Sequence, residues 1–371
     1  MLRPRNMLAT AVLAVILLAA GAAQAQNVAE GGWINLFDGE SLYGWTAFGD
    51  AGWEVKDGAI VCEKGNSGFL ATTAEFADFE LTAKMRVTQS GSGGLAVRAG
   101  LDGYAADNGG GAVSLPFSKD AEFKEIHVKA VGGNVEVTVN GKAEPVKVTR
   151  PAGHIELQYQ CYHRDKGDTK VEISEVKLRP LGMTSLFNGK DLTGWTPLPD
   201  HKSVFSVVDG ALNIKNGNGQ IETTGTYKNF MMQIDIFSNG DHLNSGVFFR
   251  TPPGVFWKGY EFQVRNQWEG DDRANPVDFG SGGLYGLCPA RKVVSSDREW
   301  YTMTAVVNGN HYAAWINGRL VSDFCDTRPP AEEADGKNGY VADAGTINLQ
   351  GHDPTTDLSF KNINIRTYPE K

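Results

Sequence analysis

Beyond its opening residues the chain has no apolar run that approaches the length of a membrane span, so no later segment reads as a membrane helix. It has no excess of basic charge. Its 35 Lys and Arg stand against 44 Asp and Glu, for a net charge of −9, which argues against a nucleic-acid partner. Cysteines are few, and no pair among Cys62, Cys161, Cys288 and Cys325 has the close spacing of a zinc or redox motif. Two fall in each half, so Cys62 with Cys161 and Cys288 with Cys325 is the disulfide pattern to test in an exported chain, with buried free thiols as the alternative. Long amphipathic helical patterns are also missing, which sets aside all-α and α/β classes.

What is present begins with Arg3 and Arg5, an apolar run over residues 7–20 and a small-residue Ala23-Gln24-Ala25 site. That sequence reads as a secretory signal peptide over residues 1–25, and the expectation is an exported protein, periplasmic or extracellular. The remaining 346 of 371 residues exceed what one core usually serves, so two domains are expected.

The two domains read as copies of each other. Leu36-Phe37-Asp38-Gly39 through Gly44-Trp45 returns as Leu186-Phe187-Asn188-Gly189 through Gly194-Trp195. Asp57-Gly58 returns as Asp209-Gly210, Gly94 to Arg98 as Gly246 to Arg250, Asn140-Gly141 as Asn317-Gly318, and Ile155-Glu156-Leu157-Gln158 as Ile347-Asn348-Leu349-Gln350. Ordered matches at growing offsets mean a tandem repeat with insertions in the second copy, spanning 26–181 and 182–371. Short alternating runs, 45 glycines and Asn-Gly or Asp-Gly turns predict an all-β fold, one antiparallel sandwich or jelly roll per copy.

The run from Lys258 to Arg265 is central to the second copy. Side chains alternate across a strand, so Tyr260, Phe262 and Val264 point to a core while Glu261, Gln263 and Arg265 point to the other side. If the Asn244 to Arg250 run is its sheet neighbour, Arg250 could share the face of Glu261 and Gln263. An acid, an amide and a guanidinium beside aromatic rings can orient a hydroxylated ligand and move a proton. Glu261 and Arg250 could equally form a cross-strand ion pair on a solvated face. The first copy has Gly103-Tyr104-Ala105 where Gly259-Tyr260-Glu261 stands, which predicts loss of the acid there.

These residues carry a resemblance. The Leu-Phe-Asn-Gly-Lys-Asp-Leu-x-Gly-Trp opening, the Asn244 to Arg250 run, Gly259-Tyr260-Glu261-x-Gln263, Leu284-Tyr285-Gly286 with Pro289, and the closing strand after Leu349-Gln350 resemble the 3-keto-disaccharide hydrolase family. The resemblance covers the second copy and, in degraded form, the first. It implies a concanavalin A-like (laminarinase-like) jelly roll in tandem, and an exported protein that cleaves glycosides oxidised at C3. A C3 ketone acidifies the C2 hydrogen, so a base can remove it and expel the C1 substituent. On this reading Glu261 is base or metal ligand, Arg250 stabilises the enolate and His352 is the second acid/base. Gln263, Tyr285, Asn244, Trp268 and Gln350 hold the substrate, a small carbohydrate or glycoside. His352 could instead be a solvated turn residue, and Trp257 and Trp268 either a sugar platform or packing residues. No cofactor is implied with certainty; a divalent metal from Glu261, His352, Asp241 and Asp278 stays open, since no spacing selects one.

Two other functions compete. A non-catalytic carbohydrate-binding protein of the same fold would use Glu261 and Arg250 only to grip hydroxyls. An ordinary glucanase needs two carboxylates flanking the bond, and the Glu-x-Asp-x-x-Glu pattern expected of one is absent.

Overall fold

Alternating side chains shape the long strands. Phe79–Gln89 and Phe230–Ser238 bury every second residue along most of their length, as a strand with one face on a core must. The computed structural model describes residues 31–105, 107–161 and 169–369; the expected signal peptide lies outside them.

Four antiparallel sheets result, two from each half of the chain. In the first half an eight-stranded sheet faces a five-stranded one, whose order is Trp45–Gly49, Ser67–Thr72, His154–Gln160, Ser92–Ala99 and Gly111–Pro116. The second half repeats the plan. Its five-stranded sheet runs Trp195–Pro197, Gly219–Thr223, Thr346–Gly351, Ser245–Thr251 and Tyr260–Val264. Both halves are jelly-roll sandwiches, and among the described residues the helical content is one 3-10 turn, Glu332–Ala334.

The repeated motifs have structural causes. Each tryptophan of the opening motif donates its indole N–H to a leucine carbonyl nine residues earlier, Trp45 to Leu36 at 2.7 Å and Trp195 to Leu186 at 2.8 Å. That bond closes the motif into a ring-like turn. At the hairpins, Asn140 and Gly141 have φ of 48° and 76°, and Asn317 and Gly318 have 49° and 77°. Two consecutive left-handed residues are what a type I′ turn requires, which is why Asn-Gly stands at both.

The halves share apolar packing. Met231, Val306, Ala313, Trp315, Leu320 and Tyr368 of the second half belong to the same buried cluster as the first half's core. Trp315 packs on Phe76, with ring centres 6.4 Å apart. Ion pairs ring this contact, Arg291 with Asp38 at 2.8 Å and Arg366 with Asp78 at 2.6 Å.

The expected disulfides are not formed, and all four cysteines are thiols. Cys62 is buried on its strand and donates to the Lys64 carbonyl, and burial pushes its thiol up to about 12.

Candidate functional site

The site grows from the five-stranded sheet of the second half. In the Tyr260–Val264 strand, Tyr260 and Phe262 pair with Phe249 and Val247 and enter the core, while Glu261 and Gln263 pair with Phe248 and Gly246 on the opposite face. The next strands extend that face. Phe248 stands opposite Asn348, Asn348 opposite Glu222, and Gln350 opposite Gln220. One sheet face therefore carries Glu261, Gln263, Asn348, Gln350, Gln220 and Glu222.

This face is covered, not solvated. Glu261 is only 5% exposed. The chain after Asp278 lays Gly283 and Tyr285 along the outer edge of the Glu261 strand, through Gln263 N–H to the Gly283 carbonyl and Tyr285 N–H to the Glu261 carbonyl. On the far side, Gly254 N–H donates to Glu222 and Trp257 N–H to Gln220 Oε1. Four buried polar atoms on this face have no hydrogen-bond partner: Gln220 Nε2, Asn348 Nδ2, Gln350 Oε1 and Asn244 Oδ1. Two are donors and two are acceptors. Buried amide groups are normally satisfied, so an unfilled set on one face is complementary to a ligand bearing several hydroxyls.

Burial pushes the Glu261 carboxyl up to about 8; the charge of Lys337 opposes the rise and that of Asp278 adds to it. Glu261 also fits because its neighbour is glycine. A Cβ on Gly246 would stand 2.2 Å from Glu261 Oε1, so the carboxylate occupies space that any other residue would fill.

Arg250 is not in the site. A register shift between Phe248 and Thr251 and a φ of 54° turn its side chain away from the alternation the sequence suggests. The guanidinium is buried and donates to the carbonyls of Lys228, Val341 and Gly309 and to the hydroxyl of Tyr312. Arg98 does the same in the first half, bonding the carbonyls of Ala77 and Gly132 and the carboxylate of Asp78. Both arginines tie loops to the end of a sheet, and the proposed Glu261–Arg250 ion pair does not exist.

The cation near Glu261 is Lys337. Its ammonium lies 4.4 Å from the Tyr285 ring centre and 4.7 Å from that of Trp257, held between the two rings. The loop that carries it is pinned to the Glu261 strand by Gly259 N–H to the Ala334 carbonyl and Gly336 N–H to the Gly259 carbonyl. Tyr285 lies beside the Glu261 strand, bonded to it through its backbone N–H. Burial, with Asp278 and Glu261 nearby, pushes its phenol up, so it stays a neutral donor. Gln263 is committed within the protein: its amide donates to the backbone and side chain of Asp278, which Asn244 also holds at 3.0 Å.

His352 is half-buried one step beyond the Thr346–Gly351 strand, with the parity of Asn348 and Gln350. Its Nδ1 lies 3.0 Å from Asp353 Oδ2, which leaves Nε2 for another partner. The Arg273 guanidinium lies over one face of the Trp268 ring, 4.2 Å from its centre. Among the described residues no three His, Cys, Asp or Glu side chains come close enough to hold a metal ion, and Asp241 is tied to Arg298 on the exposed surface.

A tandem jelly roll with a buried polar face of this kind has the form of a carbohydrate-active protein. The model of the 3-keto-alpha-glucoside-1,2-lyase-like domain matches residues 32–167 and 182–366, and the chain belongs to that family. Among solved structures, a candidate glycosyl hydrolase from Parabacteroides distasonis is 25% identical and aligns over 51% of this chain and 94% of its own, with a TM-score of 0.42. The carbohydrate-binding module CBM66 from Bacillus subtilis is 15% identical over 49% of this chain and 99% of its own, with a TM-score of 0.36. No curated protein matches.

Proposed function

We propose that the second half cleaves 3-keto-glycosides by β-elimination, with Glu261 as the base. The C3 ketone makes the C2 hydrogen acidic. Glu261 takes that proton, the electron pair forms the C1–C2 double bond, the C1–O bond breaks, and the leaving oxygen is protonated. Water then adds across the enone and gives the free 3-keto sugar. A base of raised pKa suits a carbon acid, because proton transfer becomes less uphill as base and acid approach each other in strength. Lys337 supplies positive charge as the enolate develops, in a site with little water to screen it. Tyr285 and the unfilled amides of Gln220, Asn348, Gln350 and Asn244 hold the ring hydroxyls. His352 Nε2 is the acid for the leaving oxygen, at the rim where an aglycone would exit. The leader-like residues 1–25 support action outside the cytoplasm.

The observation that carries this reading is the buried carboxyl of Glu261 among unfilled hydrogen-bonding groups. A binding protein would use the same groups, Glu261 among them, only to grip hydroxyls and would release no aglycone; the raised pKa of a buried carboxyl favours the base. The test is release of aglycone from a 3-keto-glucoside and from the matching unoxidised glucoside. The proposal expects release from the first alone, with kcat/KM rising with pH towards about 8 as Glu261 loses its proton. Sugar binding without release from either compound would instead establish a binding protein.

A further inference from the structure

The eight-stranded sheet of the second half carries another recess, on the sandwich face opposite Glu261. Its volume is about 410 Å³, within the range of small-ligand sites. A transverse row crosses its floor: Asn213 stands opposite Ser359, Ser359 opposite Phe237, and Phe237 opposite Trp300. The two rings lie 5.3 Å apart with planes inclined by 52°, and the Lys361 ammonium rests 3.9 Å from the Trp300 ring centre, a flexible side chain that a ligand stacking there has to displace.

The polar half of the row is poised for a ligand. Asn213 is 4% exposed, and the two N–H groups of its amide are shared among Asp357 Oδ1, the Leu358 carbonyl and Ser359 Oγ, all within 3.2 Å. Its carbonyl oxygen has no donor. Ser359 Oγ accepts from both Asn213 and Asn239, at 3.1 Å each, so its lone pairs are used and its hydroxyl proton is the part left to donate. A vacant acceptor and a vacant donor therefore stand side by side, facing two aromatic rings. The charges that line the recess, Lys215 and Lys361 against Asp209 and Asp357, cancel, which selects against a charged ligand.

We propose that this recess is a second carbohydrate site, one that binds a neutral sugar ring and does no chemistry. Adjacent hydroxyls of the ring bridge Asn213 Oδ1 and Ser359 Oγ, and its C–H face lies on Phe237 and Trp300. The site is independent of the role of Glu261, and would hold an outlying sugar of a longer glycan while the opposite face works.

The test uses the full chain carrying Glu261→Gln, titrated with maltose, cellobiose, sucrose and trehalose while the indole N–H resonances are followed by NMR. The expected result is saturable movement of the Trp300 resonance, assigned with Trp300→Phe, by at least one sugar. Affinity at that site falls about tenfold in Trp300→Ala, as expected for the loss of one aromatic contact, and also falls in Ser359→Ala with the melting temperature unchanged. Should Trp300→Ala fail to fold, Ser359→Ala decides. No saturable movement with any of the four sugars, or binding undiminished by both variants, overturns the proposal. Because binding is read in a chain without the Glu261 carboxylate, failure here is separate from failure of the elimination mechanism.

Discussion

The two halves share one backbone plan and differ in what fills one sheet face. In the second half, Glu222, Gln220, Asn348, Glu261 and Gln263 line it. The strand pairing of the first half puts Ala71, Phe69, Glu156, Ala112 and Ser114 at the matching positions. The counterpart of Glu261 is thus Ala112, in the Gly111–Pro116 strand, and not Ala105 as the Gly-Tyr match suggests. Ala105 belongs to a loop that packs on Ala96 and Ala99. A carboxyl does survive there, but displaced to the next strand but one. Glu156 is fully buried, with one oxygen unpaired, and burial pushes it up to about 7. The contrast teaches that a jelly roll tolerates a buried acid in either copy, and that position among hydrogen-bonding groups, more than burial, makes the acid usable.

Substitutions sharpen that contrast, and the largest effect is expected at Glu261. Glu261→Gln should lower turnover of a 3-keto-glucoside by about 10²- to 10⁴-fold, the usual contribution of a general base, whereas Glu156→Gln leaves turnover within a small factor of wild type. Equal losses in the two would erase the distinction between the halves. Gly246→Ala comes next: its methyl would displace the Glu261 carboxylate, and a misplaced base costs on the order of 10²-fold in kcat, with the circular dichroism of the fold retained.

A smaller effect is expected at Lys337. Lys337→Met should reduce kcat/KM roughly tenfold by removing charge near the enolate. Because Lys337 holds the Glu261 carboxyl down, its loss also moves the rising limb of the pH profile to higher pH. An unmoved limb would show that the two groups do not interact.

The remaining effect is on stability rather than on rate. The folded chain keeps a proton on Glu261 up to about 8, while the unfolded chain releases it near the ordinary value of 4.5. The stability this group allows is present below that lower value and is lost as pH rises through the window, with a slope of roughly 1.4 kcal/mol per pH unit. Glu156 acts in the same direction over a narrower window, up to about 7. Denaturant melts across pH 5–8 should flatten in Glu261→Gln, and less so in Glu156→Gln. A slope unchanged in both would mean that neither carboxyl is neutral in the folded chain.

Much of this was legible in the sequence. The Asn-Gly hairpins, the Leu-Phe to Gly-Trp motif and the alternation of Tyr260 to Val264 follow from local chemistry, so the fold and the face of Glu261 could be read directly. Gln350 and Asn244 stand as polar residues in alternating strands, and Gln220, Glu222 and Asn348 carry the same signal. Arg250 misled because a bulge, invisible to simple alternation, turns it out of the face. Lys337 was missed because nothing near it in sequence marks it; a loop pinned to Gly259 brings it across more than 70 positions to Glu261.

The account turns on transfer of the C2 proton to Glu261, and an isotope reports that step directly. A 3-keto-glucoside carrying deuterium at C2 should be cleaved more slowly than its protium form by the wild-type chain, and Glu261→Gln should cleave both at least about 10²-fold more slowly than wild type. Equal rates for the two isotopologues, together with turnover that survives undiminished in Glu261→Gln, would contradict it.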